Sequence, residues 1–437
     1  MGASAGGISY WLAEVSFSGF SSTNMGYKLA LDTDTDDIYV NGYTYQTTPG
    51  RYRGITLKID IEGTPQFLNL SSATNNHNER GAVMRGDNTQ YYTYGYHDSN
   101  GSSALGYWAR YSTSGSFVGD GIYGPVNQAT YYSDADREPT GDIMYAVGNN
   151  PSNIGIITKF GVNNNLIYGQ TSLSVPTTCP LSGCWYSSAL TSLWFSGRYT
   201  SAGKINVVIG RLDTSSFALQ QSSTLSNAAF SIADAYAITE NSSNQVVWAG
   251  SQKTANADFD LSLAILNNTT GAAVATAAFE LPTAGPSAYL NEASAVVTDS
   301  SDNIYVVGQF INNNIVVGYT IGFVAKFNSS LTLQWCNILY DTTPASVYFR
   351  SIDIASDGSL MVGGSHGDNI IAAKLDPDGG GLGTYGPFTY ASQSLTPISS
   401  VVSVSTGTIA LSSVTASPAN ATVSSGPLSY SSTLYDL

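Results

Sequence analysis

The feature that most constrains the fold is a sequence pattern that recurs seven times along the chain. Each copy contains an alternating apolar strand, a short turn rich in Asp, Ser, Asn and Gly, and a second strand that ends in glycine. The copies close on Gly42, Gly95, Gly148, Gly197, Gly250, Gly308 and Gly363. A repeat of about 50 residues built from period-2 strands indicates the blades of a β-propeller rather than a helical solenoid.

A third strand follows each copy, and in six of the seven copies its fourth position is basic. The exception is SLAIL (262–266), which has Ile265 there. A slot that repeats in nearly every blade indicates an architectural role. The basic residues are Lys58, Arg110, Lys159, Arg211, Lys326 and Lys374.

The two ends of the chain carry strands that lack a complete blade. SYWLAEVSF (9–17) precedes the first repeat as LQWCNILYD (333–341) precedes the seventh, which predicts an orphan fourth strand. VVSVSTGTIALSS (401–413) matches the first two strands of a repeat, and LSYSSTLYDL (428–437) is predicted as the third.

We therefore predict an all-β chain with one β-propeller domain over residues 1–437. Eight four-stranded blades are expected, the last a composite in which strand 9–17 pairs with strands from 401–437. Seven blades is the alternative. Pairing the two ends would hide strand edges that otherwise template aggregation.

The best copy of the repeat, Asp299 to Gly308 followed by Phe323–Phe327 and Trp335, resembles the bacterial β-propeller repeats often called SBBP-type. The resemblance covers nearly the whole chain. It implies a propeller found in bacterial surface and secreted proteins and in large virion proteins of phages. It implies no particular reaction.

The net charge of the chain argues against two classes of binding partner. The chain has 16 Lys and Arg against 31 Asp and Glu, a formal net charge of −15, so nucleic acid and anionic membranes are not expected partners. No apolar stretch approaches the ~18 residues of a membrane helix, and neither membrane insertion nor a signal peptide is predicted.

Cys179 and Cys184 enclose four residues and could form a bridge, whereas Cys336 is predicted to be a buried thiol.

The longest connections are predicted to lie on one face of the ring, which makes that face the candidate binding surface. Tyrosine with Asn, Asp and Ser can stack on a sugar ring and hydrogen-bond its hydroxyls. The alternative is that these loops are simply polar. The candidate ligand-binding residues are Tyr45, Arg51, Tyr52, His77, Arg80, His97, Asp98, Tyr289, Tyr319, His366 and Asp368.

Asp32, Asp34 and Asp36 resemble the first half of a calcium loop, with oxygens at alternate positions. The pattern departs at its sixth position, Asp37, and at its twelfth, Tyr43, so a solvated acidic turn is the competing interpretation. No cofactor is expected, and calcium is the one candidate that the sequence leaves open.

The sequence contains no catalytic motif that would support an enzyme. The three histidines lie in different repeats without metal-ligand or triad spacing, and no Asp-box or nucleophile motif occurs. We predict a non-catalytic phage virion structural or surface protein, located on the virion, that acts as a binding or decoration module. Its expected partners are other virion proteins or copies of itself, and a host cell-surface glycan is a further candidate. The alternatives are a secreted or cell-surface bacterial adhesin and a polysaccharide-degrading enzyme.

Overall fold

The residues that the structure describes form a closed ring of seven β-sheets, each of which is one propeller blade. The structure is a computed structural model, which describes residues 9–437 apart from 19, 26–27, 48–49, 72–75, 86, 99–103, 126–129, 140–141, 162–165, 175–177, 202, 228–230, 233–236, 254–258, 281–291, 344, 400–401, 407–409, 414–415 and 420–424. Within these residues the regular elements are all strands.

Every blade is built from strands that meander outward from the ring axis. Blades 1 and 2 contain β2 (Phe20–Met25), β3 (Ala30–Leu31), β4 (Ile38–Gln46), β5 (Arg51–Ile59) and β6 (Pro65–Ser71), then β7 (Asn76–Met84), β8 (Gln90–Asp98), β9 (Ala104–Ser112) and β10 (Phe117–Pro125). Blades 3 and 4 contain β11 (Tyr131–Arg137), β12 (Ile143–Asn149), β13 (Gly155–Gly161) and β14 (Leu166–Ser174), then β15 (Leu181–Ser187), β16 (Ser192–Ser201), β17 (Lys204–Asp213) and β18 (Leu219–Ser226). Blades 5 and 6 contain β19 (Ala237–Glu240), β20 (Val246–Lys253), β21 (Phe259–Leu266) and β22 (Ala273–Glu280), then β23 (Glu292–Thr298), β24 (Ile304–Ile311), β25 (Thr320–Phe327) and β26 (Leu333–Asp341).

Blade 7 closes the ring because it takes its fourth strand from the N-terminus. It contains β27 (Val347–Ile354), β28 (Leu360–His366), β29 (Asn369–Leu375) and β1 (Trp11–Ser16). β1 pairs antiparallel with β29, with Trp11 opposite Lys374. The fourth strand is therefore supplied from the other end of the chain, and the ring closes after seven blades.

The C-terminal residues then run back around the outside of the ring, against the order of the blades, and we call residues 383–437 the belt. Each blade receives an additional outer strand from it: β30 (Gly383–Tyr385) and β31 (Phe388–Ser392) on blade 6, β32 (Thr396–Pro397) on blade 5, β33 (Ser403–Thr406) on blade 4, β34 (Ala410–Ser413) on blade 3, β35 (Ala416–Ala419) on blade 2, β36 (Ser425–Pro427) on blade 1 and β37 (Ser431–Asp436) on blade 7. The belt ends beside β1, where Trp11 lies opposite Asp436.

The prediction of eight blades is wrong, and the belt is the reason. Residues 401–413, expected to start an eighth blade, form β33 and β34 on the edges of blades 4 and 3. Residues 383–390 follow the third strand of the seventh repeat, but they extend blade 6 through β31 and β30 and do not serve as the fourth strand of blade 7. Strands that pair through their backbone with an existing edge need no apolar alternation of their own, so their sequence resembled degenerate blade strands.

The repeated basic slot packs on the neighbouring strand of its own blade. Lys58 lies opposite Tyr39, with its amine 5.3 Å from the ring centroid and 2.8 Å from Asp37. Lys326 repeats the arrangement over Tyr305 at 5.3 Å. A β-bulge follows the basic residue in both blades, and a bulge at the start of a fourth strand twists its outer edge.

Turns on the face opposite the predicted binding face join neighbouring blades. Asp302 accepts hydrogen bonds from the Ser242 amide at 2.7 Å and the Ser242 hydroxyl at 2.8 Å. Asp36 binds Ser356 in the same way, with the amide at 2.8 Å. Both aspartates have positive φ, 61° and 58°, so each turn aims its carboxylate at the preceding blade. In the described part of the chain, no helix is long and apolar enough to cross a membrane.

Candidate functional site

The face that was expected to carry long loops carries raised β-hairpins in blades 1 and 2. The connection after the second strand of blade 1 is mostly strand, because β4 continues to Gln46 and β5 begins at Arg51, with Tyr45 opposite Tyr52. In blade 2, β8 continues to Asp98, and β9 begins at Ala104. Strand pairing therefore holds side chains on this face that a loop would leave free to move.

Aromatic and guanidinium side chains form a continuous row across the ends of these strands. We call this row the aromatic track, and it consists of Tyr43, Tyr45, Tyr52, Arg80, Tyr96 and Tyr131. The track reaches from β4 and β5 in blade 1, through β7 and β8 in blade 2, to the first residue of β11 in blade 3. It therefore joins three consecutive blades on one face.

The blade 1 part of the track is a triangle of tyrosines. Tyr52 lies edge-to-face against Tyr45, with ring centroids 5.2 Å apart, and against Tyr43 at 5.6 Å. Strand alternation explains the grouping, because Tyr43 and Tyr45 are two residues apart on β4 and Tyr52 is the cross-strand partner of Tyr45. Tyr52 is 38% exposed, so its ring is available at the surface.

Arg80 connects that triangle to the tyrosines of blades 2 and 3. Its guanidinium lies 5.4 Å from the centroid of Tyr43 and 5.6 Å from that of Tyr96. Tyr96 in turn meets Tyr131 edge-to-face at 5.0 Å. Burial raises the pKa of Tyr96, although Arg80 opposes this shift. These rings are half-buried and held at fixed spacing.

Glu79, the residue before Arg80, is buried and does not belong to the track. A β-bulge between Glu79 and Gly81 separates the two side chains. Asn41 Nδ2 donates to the Glu79 carboxyl group at 3.1 Å. Burial raises the pKa of Glu79 to about 8, so the group is mostly a neutral acid at pH 7.

Of the predicted ligand-binding residues, Tyr45, Tyr52 and Arg80 are brought together in the track. Arg51 lies at the start of β5 opposite Gln46, so it points to the other side of the hairpin from Tyr52. Tyr319 is half-buried in the connection before β25 of blade 6, and Asp368 is exposed in the turn after β28 of blade 7. The last two lie in blades that the track does not reach.

The predicted histidines and two further residues are placed elsewhere. The His77 backbone lies opposite His97 in the β7–β8 ladder, and the His97 side chain is 6% exposed. The side chains of His77 and Asp98 lie outside the described residues, as does Tyr289. His97 is thus an interior residue and not a surface contact.

His366 is buried between two carboxylates and joins the two ends of the ring. Its Nδ1 lies 2.7 Å from Glu14 of β1, and its Nε2 lies 2.7 Å from Asp341 of blade 6. Asn369 Nδ2 also donates to Glu14, at 2.6 Å. Burial lowers the pKa of His366, but the hydrogen bonds to Glu14 and Asp341 outweigh it and the net shift is upward. We call Glu14, His366 and Asp341 the closure triad.

Two of the three calcium candidates, Asp32 and Asp36, make hydrogen bonds within the protein. Asp32 accepts a hydrogen bond from the Asp34 amide at 3.0 Å, Asp36 binds Ser356, and Asp34 is exposed. The described residues contain no group of three or more His, Cys, Asp or Glu side chains that could hold a metal ion. The three cysteines are free thiols, and all are buried.

The ring axis contains a cavity of about 60 Å³ around Lys28. The Lys28 amine donates to the Ala135 carbonyl at 3.0 Å and lies 3.4 Å from Asp136. Burial lowers the pKa of Lys28, but the charges of Asp136 and Asp134 outweigh it and raise the pKa. This space suits a few water molecules, whereas small-molecule sites usually measure at least ~300 Å³.

Sequence reasoning missed Tyr43, Tyr96 and Tyr131, which complete the track. Tyr43 alternates with Tyr45, and Tyr96 directly precedes the predicted His97. Alternation along β4 is the signal that groups Tyr43 with Tyr45. Tyr131 carries no local signal, because it joins the track through contact with another blade.

Comparison with known proteins leaves the family open. No family model and no curated relative matches the chain. Among solved structures, a chain of the mitotic checkpoint complex is 14% identical with a TM-score of 0.49, covering 80% of this chain and 89% of that one. The WD40 domain of SCAP from fission yeast is 10% identical with a TM-score of 0.34, covering 83% and 97%. A GH43_12 protein retrieved from capybara gut metagenome is 9% identical with a TM-score of 0.30, covering 96% and 95%. These likenesses are too distant to carry an argument about function, and the propeller assignment stands on the strand topology.

Proposed function

We propose that the protein is a non-catalytic surface module that binds a glycan through the aromatic track. The observation that carries this proposal is the unbroken row of five tyrosines and Arg80 across three blades of one face. Sugar rings stack on aromatic faces, and tyrosine hydroxyls hydrogen-bond sugar hydroxyls. Pairing within β4, β5, β7 and β8 fixes the rings before a ligand arrives, which lowers the entropic cost of binding.

The geometry favours binding over catalysis. Glu79 is the carboxyl group nearest in sequence to Arg80, and it is 1% exposed. A glycosidase needs two carboxyl groups that reach opposite sides of the scissile bond. An acid held between blades 1 and 2 by Asn41 does not reach a ligand that lies on the rings.

A glycan array with purified protein tests the proposal. We expect wild-type protein to bind a subset of glycans, and we expect Tyr52→Ala and Tyr96→Ala to weaken binding about fivefold or more, since an aromatic contact contributes ~1 kcal/mol. Tyr168→Ala is the matched control, because Tyr168 is a tyrosine of blade 3 that is 51% exposed and lies off the track. An array without binding, or track variants that bind as wild type does, would overturn the proposal. Release of shortened glycan would establish the enzyme alternative.

We further propose that the module is an SBBP-type propeller on the surface of a phage virion. Support comes from a chain with 11% charged residues and three buried thiols, and from a belt that supplies an outer strand to every blade. Those properties suit a protein that works outside the cell and must not aggregate. A cell-surface adhesin is the alternative, and finding the chain on cell envelopes but absent from virions would favour it.

A further inference from the structure

In the described residues, the belt leaves β22, the fourth strand of blade 5, uncovered over most of its length. The belt pairs with β22 only at Phe279 and Glu280 within the described residues, and the Ile398 amide donates to the Ala278 carbonyl at 3.0 Å. Residues 273–277 of β22 have no strand partner on their outer side in the described part of the chain. Such an edge presents backbone N–H and C=O groups to another strand.

The third strand beside this edge also lacks the basic residue that the other blades carry. In blades 1, 2, 3, 4 and 6, the third strand places Lys or Arg directly opposite the early part of the fourth strand, as with Lys58 opposite Phe67 and Lys326 opposite Trp335. In blade 5 the residue at this position is Ile265, opposite Ala275. No charged residue occurs between Asp260 and Glu280. Charge near an edge is a common means of preventing strand addition, and here it is missing.

An apolar groove of about 420 Å³ lies beside the uncovered edge. It is bounded by residues 276–279 of β22, by residues 331–333 at the turn into β26 of blade 6, and by Pro397 and Ile398 of the belt. Val274, at the other end of the edge, is 52% exposed. The edge therefore combines open backbone groups with apolar surface.

We propose that residues 273–277 pair with the same residues of a second copy of this chain, antiparallel about a two-fold axis at Ala275. Antiparallel pairing of identical strands is self-complementary, as an isologous dimer requires. In this register Val274 of the second copy lies opposite Thr276, at the mouth of the groove.

Two features indicate that the strand pairing with this edge comes from a second copy of the chain. They are the lack of charge on the edge and its continuity with the outer strands of the belt. Two molecules of net charge −15 repel one another, so an uncharged segment is where they approach at least cost. The new strand would continue the layer of outer strands that the belt already builds on all seven blades. A ladder of five residues is short, so the dimer is weak and reversible.

Sedimentation velocity over a range of protein concentrations tests this proposal. Wild-type protein is expected to shift from monomer to dimer, and Val274→Lys is expected to weaken the dimer at least ~10-fold, since it places like charges across the axis. Ala273→Lys, also on the exposed part of the strand, is expected to act in the same direction. Val118→Lys is the matched control, because Val118 is 42% exposed at the equivalent place of blade 2, and it should leave the dimer unchanged.

A wild-type protein that stays monomeric at all concentrations would overturn the proposal. So would a dimer that Val274→Lys and Ala273→Lys leave intact. Circular dichroism of each variant shows that it is folded. Dimerisation is independent of the aromatic track, so this result and the glycan result can fail separately.

Discussion

The closure triad gives the sharpest stability prediction, because it joins β1 to blades 6 and 7. Replacing His366 with Ala removes the group that neutralises two carboxylates, of which the Asp341 side chain is 1% exposed and that of Glu14 is 15% exposed. Breaking a buried ion pair by removing one partner costs ~3–5 kcal/mol. Asp341 keeps hydrogen bonds from the Thr343 amide and hydroxyl, both at 2.6 Å, so we expect the lower end, about 3 kcal/mol at pH 6.

The pH dependence separates this account from simple loss of packing. The pKa of His366 is raised in the folded protein, so its stabilising contribution is fully present below 6.5 and is lost as pH rises through the folded value. Burial raises the pKa of Glu14, but the hydrogen bonds from His366 and Asn369 outweigh burial, and the net shift is downward. The contribution of Glu14 to stability is therefore present above 4.5 and is lost as pH falls below that value. The destabilisation by His366→Ala should therefore be largest near pH 6 and shrink at alkaline pH.

Urea unfolding followed by tryptophan fluorescence measures the effect. Trp11 is a suitable reporter, since it lies on β1, is 1% exposed and donates its indole N–H to the Ile61 carbonyl at 2.8 Å. His366→Gln, which can donate one hydrogen bond but carries no charge, should fall between wild type and His366→Ala. A loss below about 0.5 kcal/mol at pH 6, or an equal loss at pH 6 and at alkaline pH, would refute the reasoning.

Three further predictions concern other parts of the molecule. Glu79→Gln should be more stable than wild type at pH 8 but not at pH 4.5. The raised pKa of Glu79 makes the wild-type free energy of unfolding fall between these pH values, by at most ~5 kcal/mol. Urea midpoints of both proteins at the two pH values check this, and an equal difference at both would contradict it. Ending the chain after Ser392 should expose the outer edges of six blades and cause aggregation visible by light scattering, and a soluble monomer would show that the belt is dispensable. Asp302→Ala should remove the bonds to Ser242 and lower stability by about 1–2 kcal/mol, with Asp34→Ala, at an exposed turn position, as the unaffected control in the same urea assay.

The seven sequence repeats were recognisable because each repeats the same local chemistry, whereas the predicted eighth blade does not exist. Period-2 strands, turns and closing glycines recur with every blade, and the strand at 9–17 kept the apolar pattern of a fourth strand. The belt carries no such signal. Ser403, Ser405 and Thr406 are exposed and pair with blade 4 through their backbone, so nothing in their side chains distinguishes an outer strand from a degenerate blade strand.

The candidate site was predictable only where it is local. Tyr45 and Tyr52 share one hairpin and were found together with Arg80 from their loop positions. The contact of Arg80 with Tyr96 and that of Tyr96 with Tyr131 depend on how blades are placed around the ring. His366 and Glu14 are 352 residues apart in sequence, so their pairing follows from ring closure and from no local pattern.

Cryo-electron microscopy of purified virions tests the proposed virion location and the proposed glycan-binding face together. We expect seven-bladed rings at symmetric positions on the virion, with the hairpins that carry Tyr52 and Tyr96 facing outward and free to bind. Rings whose track face lies against the particle would contradict a glycan-binding role for that face. Virions that lack the chain would contradict the virion assignment.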